Sequence, residues 1–302
     1  MLLLRLGVIE KASDFKRRHV AGILIRAEDG RATVQITCLP QGFGAQVSEF
    51  DLHQSRTPAE IVRLQQAYND HHLLVFRGPG RIAPERQVEI AGWFGRIGAN
   101  TGEGGRPWTV LHNDDAAGSC KLPFHCDISF MEFPLEGISL HPLELPGSDT
   151  STTFVSNALA WDGLPEAMKA ELRDRKARHF YADAQAMNFD WPVLEYWHPV
   201  CMPHPKTGRS LLFVTEHHVD RIEGMDEKRG AELLQVLFTQ LYVQERRYEH
   251  VWCEGDLVIW DNLAVQHART RASEPTDGPR ALRRVALGEV GFLEQLGRSK
   301  QR

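Results

Sequence analysis

The sequence of 302 residues predicts a β-sandwich or barrel with helices added mainly on the outside. The prediction depends on where strand-like and helix-like patterns lie along the chain. Short runs rich in aliphatic and aromatic residues, bounded by turn signals such as Pro-Gly and Gly-Asp, dominate the second half. Helical patterns lie at 57–71 and 84–97, before this region. Strand-rich sequence with peripheral helices is typical of a sandwich or barrel.

Taken in order, the first helix is predicted by a capping box, Thr57-Pro-Ala-Glu60, with Pro at the first helical position. A buried strand at 73–77 ends at Gly78-Pro-Gly, and a Gly-rich stretch at 98–118 reads as a long functional loop. Further strands are expected at 122–130, 137–145, 210–215, 257–260 and 282–290, and helices at 157–178, with a break near 163–165, and at 226–244.

The N-terminal region is harder to assign. Residues 20–26 and 32–37 resemble a hairpin around Asp29-Gly30, because Asp-Gly is a strong turn signal. We expect residues 1–42 to be an extension with no assigned role, which leaves an oligomer contact open, and residues 43–302 to form the main domain.

Composition excludes several classes of function. Hydrophobic content of 42% and charged content of 25% are ordinary for a globular protein. A net charge of -5 and the lack of a long basic block give no case for nucleic-acid binding. The five cysteines form no Cys-x-x-Cys pair, which favours a reducing compartment over disulfides or a zinc knuckle. With no apolar run of about 20 residues and no signal-peptide pattern, the expected location is cytoplasmic and away from membranes.

The segment Leu122-Pro-Phe-His-Cys-Asp-Ile-Ser-Phe130 is the candidate metal-binding strand. If it is extended, His125 and Asp127 lie on one face, and the apolar residues lie on the other. One His and one carboxylate, joined by a second His, make the facial triad of non-haem Fe(II) oxygenases. Three His-x-Asp triplets occur, beginning at His112, His125 and His218, so the motif alone is weak. Only the triplet at 125–127 has strand alternation on both sides.

Two later segments supply partners for this strand. Trp260-Asp-Asn-Leu-Ala-Val-Gln-His267 places a His shortly after a strand. In the last strand Arg280 and Arg284 share one face, while Arg283 points the other way. Inward-facing arginines are costly unless they bind anions, and a guanidinium matches a carboxylate. The alternative is a solvated edge strand with basic side chains.

The order of these motifs resembles the taurine dioxygenase family. This group of Fe(II)- and 2-oxoglutarate-dependent enzymes includes the 2,4-dichlorophenoxyacetate dioxygenases. The resemblance runs from about residue 42 to the C-terminus, with the metal and arginine motifs in family order. It also includes the following segments: Gly42-Phe-Gly-Ala-Gln-Val-Ser-Glu-Phe-Asp-Leu, Phe94-Gly95, Pro146-Gly-Ser-Asp-Thr150 and His204-Pro-Lys-Thr-Gly-Arg.

The resemblance implies a double-stranded β-helix, or jelly-roll, core in a mainly β fold with helical decoration. It makes His125, Asp127 and His267 the iron ligands and the catalytic centre. Three protein ligands leave three positions on the metal, two for 2-oxoglutarate and one for O2. The implied products are succinate, CO2 and a hydroxylated substrate, with bond cleavage where hydroxylation falls beside a heteroatom. Retention of Asp127 disfavours halogenation, since related halogenases carry a small residue there.

The same resemblance assigns the co-substrate contacts. Thr150 and Arg280 are expected to hold the distal carboxylate of 2-oxoglutarate, and Arg284 to lie near its other end and near a substrate anion. The arginines stand two residues farther from His267 than in taurine dioxygenase, which fits an insertion in 273–278. A register change there would redistribute these roles among Arg280, Arg283 and Arg284.

The expected substrate is a small anionic organic molecule. Asn100 and Lys121 stand where taurine dioxygenase has a sulfonate-binding His and an Asn, and Phe124 stands in place of a Trp, so taurine is not expected. We predict substrate contacts from Asn100, Lys121, Phe124 and Arg284. Two other classes stay open: a jelly-roll protein that binds a metal or ligand without catalysis, and a zinc hydrolase, because the same ligand set suits zinc.

Overall fold

The computed structural model of the chain describes residues 34–78, 80–98, 105–113, 120–146, 150–181, 193–272 and 278–299. Strands dominate these residues, which confirms the predicted mainly β class. The strands are β1 (Gln35–Cys38), β2 (Ala45–Ser48), β3 (Leu73–Phe76), β4 (Thr109–His112), β5 (Leu122–His125), β6 (Gly137–Glu144), β7 (Ser151–Ser156), β8 (Lys176–Phe180), β9 (Glu195–Pro199), β10 (Cys201–Pro203), β11 (Ser210–Leu212), β12 (Val219–Ile222), β13 (Tyr248–Val251), β14 (Leu257–Asp261), β15 (Val265–Arg269) and β16 (Ala281–Leu287). The helices are α1 (Pro58–His71), α2 (Pro84–Gly92), α3 (Asn157–Asp162), α4 (Glu166–Leu172), α5 (Glu227–Leu241) and α6 (Phe292–Ser299), with a 3-10 turn at Gln244–Arg246.

Two sheets pack face to face and form the body of the fold. The larger sheet has seven strands in the order β1-β2-β3-β14-β6-β16-β4, and the smaller has four in the order β13-β7-β15-β5. Alternation along β14 divides its side chains between two layers. Val258 and Trp260 enter the core between the sheets, together with Phe154 of the small sheet. Leu257 and Ile259 enter a second core on the outer face of the large sheet.

Helices α1 and α2 cover that outer face. Helix α1 begins with the predicted capping box: the Glu60 backbone N–H donates to Thr57 Oγ1, and the Thr57 backbone N–H donates to a Glu60 carboxylate oxygen. Leu64 and Tyr68 bury the inward face of α1 against the sheet. The predicted helix at 84–97 ends earlier than expected, at Gly92.

A third layer packs beside the small sheet. Strands β12, β8 and β9 form a three-stranded sheet, and β10 pairs with β11. Leu233, Leu234 and Leu237 of α5 pack in a separate core with Ile222 and Val214. The helix predicted at 157–178 ends earlier than expected. Residues 173–175 turn out of α4, and strand β8 of this layer begins at Lys176.

Two more expectations differ from the structure. The strand predicted at 122–130 ends at His125, and residues 127–130 form turns with Ile128 at a left-handed φ of 59°. The stretch 98–118, predicted as a loop, contains β4, which pairs with β16 at the edge of the large sheet.

At the N-terminus, β1 pairs with β2, so residues 35–38 belong to the large sheet. The hairpin predicted within 20–37 lies mostly outside the described residues, and the boundary at residue 42 stays a prediction. Among the described helices, none combines the length and the apolar character that a membrane crossing requires.

Candidate active site

Three side chains of the small-sheet side converge as a candidate metal centre. The ligand atoms of His125, Asp127 and His267 all lie within 4.8 Å of one another. The His125 Nε2 to Asp127 Oδ1 distance is 3.1 Å, and the His267 Nε2 to Asp127 Oδ1 distance is 3.5 Å. Neighbouring ligands at about 2.1 Å from one metal ion are roughly 3 Å apart in octahedral geometry. The group therefore fits one face of such a metal.

His125 is held in the tautomer that metal binding needs. It ends β5 and is paired directly with His267 of β15. Its Nδ1 lies 2.9 Å from the Pro123 carbonyl oxygen, so Nδ1–H donates there and the Nε2 lone pair faces Asp127. The hydrogen bond also fixes the plane of the ring.

Asp127 reaches His125 by a turn rather than by strand alternation. The side chain of Asn262 holds this turn from the opposite side of the core. Its Oδ1 accepts the Asp127 backbone N–H at 2.9 Å, and its Nδ2 donates to the carbonyls of Asp127 and Leu135 at 3.0 and 2.9 Å. Asn262 is fully buried. The left-handed conformation of Ile128 then redirects the chain away from the sheet.

His267 is positioned by the corner that joins β14 of the large sheet to β15 of the small sheet. Asp261 builds this corner, since its Oδ1 accepts the backbone N–H groups of Leu263 and Ala264 at 3.0 Å each. The His267 ring packs against Trp260, with 4.9 Å between ring centroids. The Trp-Asp-Asn sequence therefore supplies a turn, a wall of the site and a clamp on Asp127.

Charge in the site favours metal binding. Although burial alone would raise it, the positive charge of the Arg284 guanidinium holds the pKa of Asp127 well below its usual range. Arg284 Nη2 lies 2.5 Å from Asp127 Oδ2. Burial, with the neighbouring His125, lowers the pKa of His267 to about 3. An ionised carboxylate and a neutral imidazole are the ligand forms that a metal ion requires.

The centre opens into a cavity of about 290 Å³ between the two sheets. Its lining combines the three ligands with apolar and cationic side chains: Leu111, His112, Leu122, His125, Asp127, Ile138, Leu140, Ser151, Thr152, Trp260, His267, Ala268, Arg269, Arg280, Leu282 and Arg284. The structure thus brings Arg280 and Arg284 to the cavity. Arg283 lies behind the sheet, where it donates to Gln87 Oε1 at 2.7 Å and to the Ile82 carbonyl at 2.6 Å.

At the start of β7 the cavity is lined by Thr152 and not by the predicted Thr150. Thr150 precedes β7, and its carbonyl accepts the Trp252 backbone N–H. It is not among the described residues that line the cavity, whereas Thr152 is. The Thr152 hydroxyl also accepts a hydrogen bond from Trp252 Nε1 at 3.0 Å. The prediction of Thr150 depends on the resemblance of Pro146-Gly-Ser-Asp-Thr150 to the family.

The structure does not bring together the three predicted substrate residues that it describes, Lys121, Phe124 and Arg284. Phe124 precedes His125 on the strand and so points to the opposite face, where it stacks on Tyr242 with 4.4 Å between ring centroids. Lys121 is exposed at the start of β5 and does not line the cavity. Asn100 lies outside the described residues. Of the three that the structure describes, only Arg284 faces the metal ligands.

Sequence reasoning missed Arg269. It lies two residues after His267 on β15 and lines the same cavity. Burial, with the positive charge of Arg280 nearby, lowers the pKa of Arg269 to about 10, so it remains a cation at neutral pH. The signal was present in the sequence, because residues two apart on a strand share a face.

A second group of potential ligands, His72, His204 and Asp261, lies buried behind the corner. The Thr207 backbone N–H donates to His204 Nδ1, so the hydrogen of His204 is on Nε2, which donates to Asp261 Oδ2 at 2.8 Å. A metal at Nε2 would displace that hydrogen bond. This group is therefore a hydrogen-bonded support of the corner rather than a metal site.

Comparison with known proteins agrees with this geometry. Residues 35–286 match the family model "Taurine catabolism dioxygenase TauD, TfdA family". The chain belongs to this family. The chain is accordingly a non-haem iron dioxygenase that depends on 2-oxoglutarate and O2.

Individual relatives are distant but cover most of the chain. One is the alpha-ketoglutarate-dependent 2,4-dichlorophenoxyacetate dioxygenase of Burkholderia sp. (strain RASC), 27% identical over 85% of this chain and 95% of the relative. Another is the alpha-ketoglutarate-dependent sulfate ester dioxygenase of Pseudomonas putida, 28% identical over 86% of this chain and 92% of the relative. The solved structure of AAD-2 in complex with Mn(II) and N-oxalylglycine aligns with a TM-score of 0.72 and 27% identity, over 86% of this chain and 98% of that one.

A taurine dioxygenase structure from Burkholderia xenovorans aligns with a TM-score of 0.74 over 87% of this chain and 93% of that one, at 22% identity, which bears on the fold alone. These likenesses confirm the predicted jelly-roll core.

Proposed function

We propose that this chain hydroxylates a small anionic organic molecule, using Fe(II) held by His125, Asp127 and His267 and releasing succinate and CO2. The single observation that carries the proposal is the convergence of these three ligands at the end of a cavity that also contains Arg280 and Arg284. When bound, the metal would supply the oxidising chemistry with O2 as the oxidant and 2-oxoglutarate as the co-substrate that becomes succinate and CO2. The protein residues bind, orient and neutralise charge.

The residues have distinct proposed roles. His125 and His267 present imidazole nitrogens, and Asp127 presents a carboxylate oxygen, which together are the donor set of the facial triad. Arg280 and Thr152 lie in the same cavity and suit a carboxylate that needs a guanidinium fork and a hydroxyl. Arg284 already pairs with Asp127, so it both orients that ligand and presents positive charge beside the metal.

The charge of the cavity supports an anionic substrate. Three arginines and one carboxylate line it among the described residues. A divalent metal adds two positive charges, and 2-oxoglutarate removes two, so an excess of positive charge remains. Similar proteins are named for anionic substrates, namely a sulfate ester and 2,4-dichlorophenoxyacetate. Leu111, Ile138 and Leu140 add apolar walls, which suit an organic acid or a sulfate ester with an apolar body.

An anaerobic titration of the apoprotein with Fe(II) and 2-oxoglutarate tests the proposal. We expect a visible metal-to-ligand charge-transfer band that Asp127→Ala abolishes and Arg280→Gln weakens. Arg283→Met is the matched control, because Arg283 lies on the same strand but behind the sheet. Succinate release with alkyl sulfates and aryloxyalkanoates would then identify the substrate class.

The outcomes separate clearly. A band in the wild type and in Arg283→Met, with none in Asp127→Ala, supports the chelate and its ligands. If the wild type binds iron and 2-oxoglutarate without a band, or if the band survives in Asp127→Ala, the assignment of the metal centre is wrong.

A further inference from the structure

We propose that Arg269 is a second guanidinium for the distal carboxylate of the 2-oxo acid, acting beside Arg280 and Thr152. This inference rests on the proposed function, since it concerns the same co-substrate in the same cavity. It deepens that function by assigning a residue that sets the preference for a dicarboxylic over a monocarboxylic 2-oxo acid.

The position of Arg269 along β15 suits this role. His267 and Arg269 are two residues apart on the strand, and both line the cavity. Two residues of a strand span about 6.6 Å. A five-carbon 2-oxo diacid binds a metal through its C1 carboxylate and C2 keto oxygen, and its second carboxylate lies three carbons beyond the keto carbon. A ligand that chelated a metal beside His267 and extended along β15 would bring that carboxylate to Arg269.

The neighbours of Arg269 point to the same end of the cavity. In the ladder of β15 and β7, Ala268 is opposite Thr153, so Arg269 comes next to Thr152. On its other side Arg269 is opposite Leu122 of β5, which also lines the cavity. Arg280 enters the cavity from the large-sheet side. Two guanidinium groups and a hydroxyl thus surround one region from two sheets.

The arrangement has an electrostatic cost that an anion would offset. Arg269 Nε donates to the Cys120 carbonyl oxygen at 2.7 Å, and this bond fixes the plane of the guanidinium. Arg280, which is buried, carries a like charge in the same cavity. Like charges at close range repel, and a bidentate carboxylate between them turns this repulsion into attraction. An arginine held rigidly in such a place is suited to recognition.

The test compares two non-reactive ligands on Mn(II)-loaded protein by calorimetry. N-oxalylglycine carries the distal carboxylate, and N-methyloxamate has the same chelating end without it. In the wild type we expect strong preference for N-oxalylglycine. In Arg269→Gln its affinity should fall about 10- to 100-fold, the usual effect of a lost charge-assisted pair, while the affinity for N-methyloxamate stays within twofold. Arg269→Lys should be intermediate, because it keeps the charge but loses the fork.

Arg221→Gln is the charge-matched control. Arg221 is exposed on β12, outside the cavity lining, so its loss removes one positive charge without touching the site. We expect less than a twofold change for either ligand.

Each outcome bears on one conclusion. Equal affinity of the wild type and Arg269→Gln for N-oxalylglycine overturns the role of Arg269 but leaves the proposed function intact. An equal loss for both ligands makes Arg269 a structural residue and also overturns the inference. If the wild type binds neither ligand in the presence of Mn(II), the proposed function fails, and the inference fails with it.

Discussion

Replacing Asn262 with Ala tests how far the metal centre depends on a residue that is not itself a ligand. The side chain makes three hydrogen bonds, two to the backbone of Asp127 and one to the carbonyl of Leu135, and it is fully buried. Each buried bond lost costs about 1 kcal/mol net, so the free energy of unfolding should fall by roughly 3 kcal/mol. Because the Asp127 turn loses its clamp, affinity for Mn(II) should fall about 10- to 100-fold.

Urea unfolding of the apoprotein measures the first effect, and calorimetric titration with Mn(II) measures the second. Asn157→Ala is the matched control. Asn157 is equally buried, and its side chain bonds the Leu263 carbonyl and Gln266, both at 2.7 Å. It also donates to Cys126 Sγ at 3.8 Å, but unlike Asn262 it makes no hydrogen bond to the Asp127 backbone. Both variants should lose stability, but only the Asn262 variant should lose metal affinity. Equal affinities for Mn(II) in the two variants would refute the positioning role of Asn262.

Three further outcomes follow from the fold. Thr57→Ala removes the hydroxyl of the capping box and should lower the free energy of unfolding by about 1 kcal/mol in urea melts, whereas Thr57→Ser should restore it. Arg283→Met removes the donors to Gln87 Oε1 and to the Ile82 carbonyl and should cost about 2–3 kcal/mol. The affinity for N-oxalylglycine should stay unchanged in calorimetry, and a lost affinity would contradict the placement of Arg283 behind the sheet. Burial lowers the pKa of His72 and of His198 to about 4 from 6.5, so both stay neutral in the folded chain. In the unfolded chain both imidazoles bind a proton below pH 6.5. The free energy of unfolding is therefore highest above that pH and falls by roughly 1.4 kcal/mol per pH unit for each His down to pH 4. Urea midpoints that do not change between pH 7.5 and 5.5 would contradict this.

Much of the architecture follows from local pattern. Capping residues mark the start of α1, and the short aliphatic runs mark β3, β6 and β14, because these signals act within a few residues. The pairing of β4 with β16 depends on contacts between distant segments, which no local pattern reports.

In the candidate site, too, local patterns predicted some features, and contacts between distant residues determined the others. The sequence pointed to His125 and Asp127 through an extended strand, yet the structure joins them through a turn with Ile128 in the left-handed region. That turn needs Asn262, which is more than a hundred residues away. Phe124 was expected to face the substrate, but alternation from His125 turns it toward Tyr242. Alternation thus held inside the strands, at Phe124 and at Arg283 and Arg284, and it failed at Asp127, beyond the end of β5.

The metal-binding histidines and the two arginines of the last strand come from opposite sheets of the sandwich. His125 and His267 are on the small sheet, whereas Arg280 and Arg284 extend from the large sheet side. A co-substrate that binds both the metal and these arginines therefore bridges the two sheets across the cavity and resists their separation. Binding of the co-substrate therefore stabilises the folded chain. The free energy of unfolding rises by RT ln(1 + [L]/Kd), where [L] is the co-substrate concentration. Amide exchange in the edge strands β4 and β5, one in each sheet, should consequently slow when the co-substrate occupies the cavity.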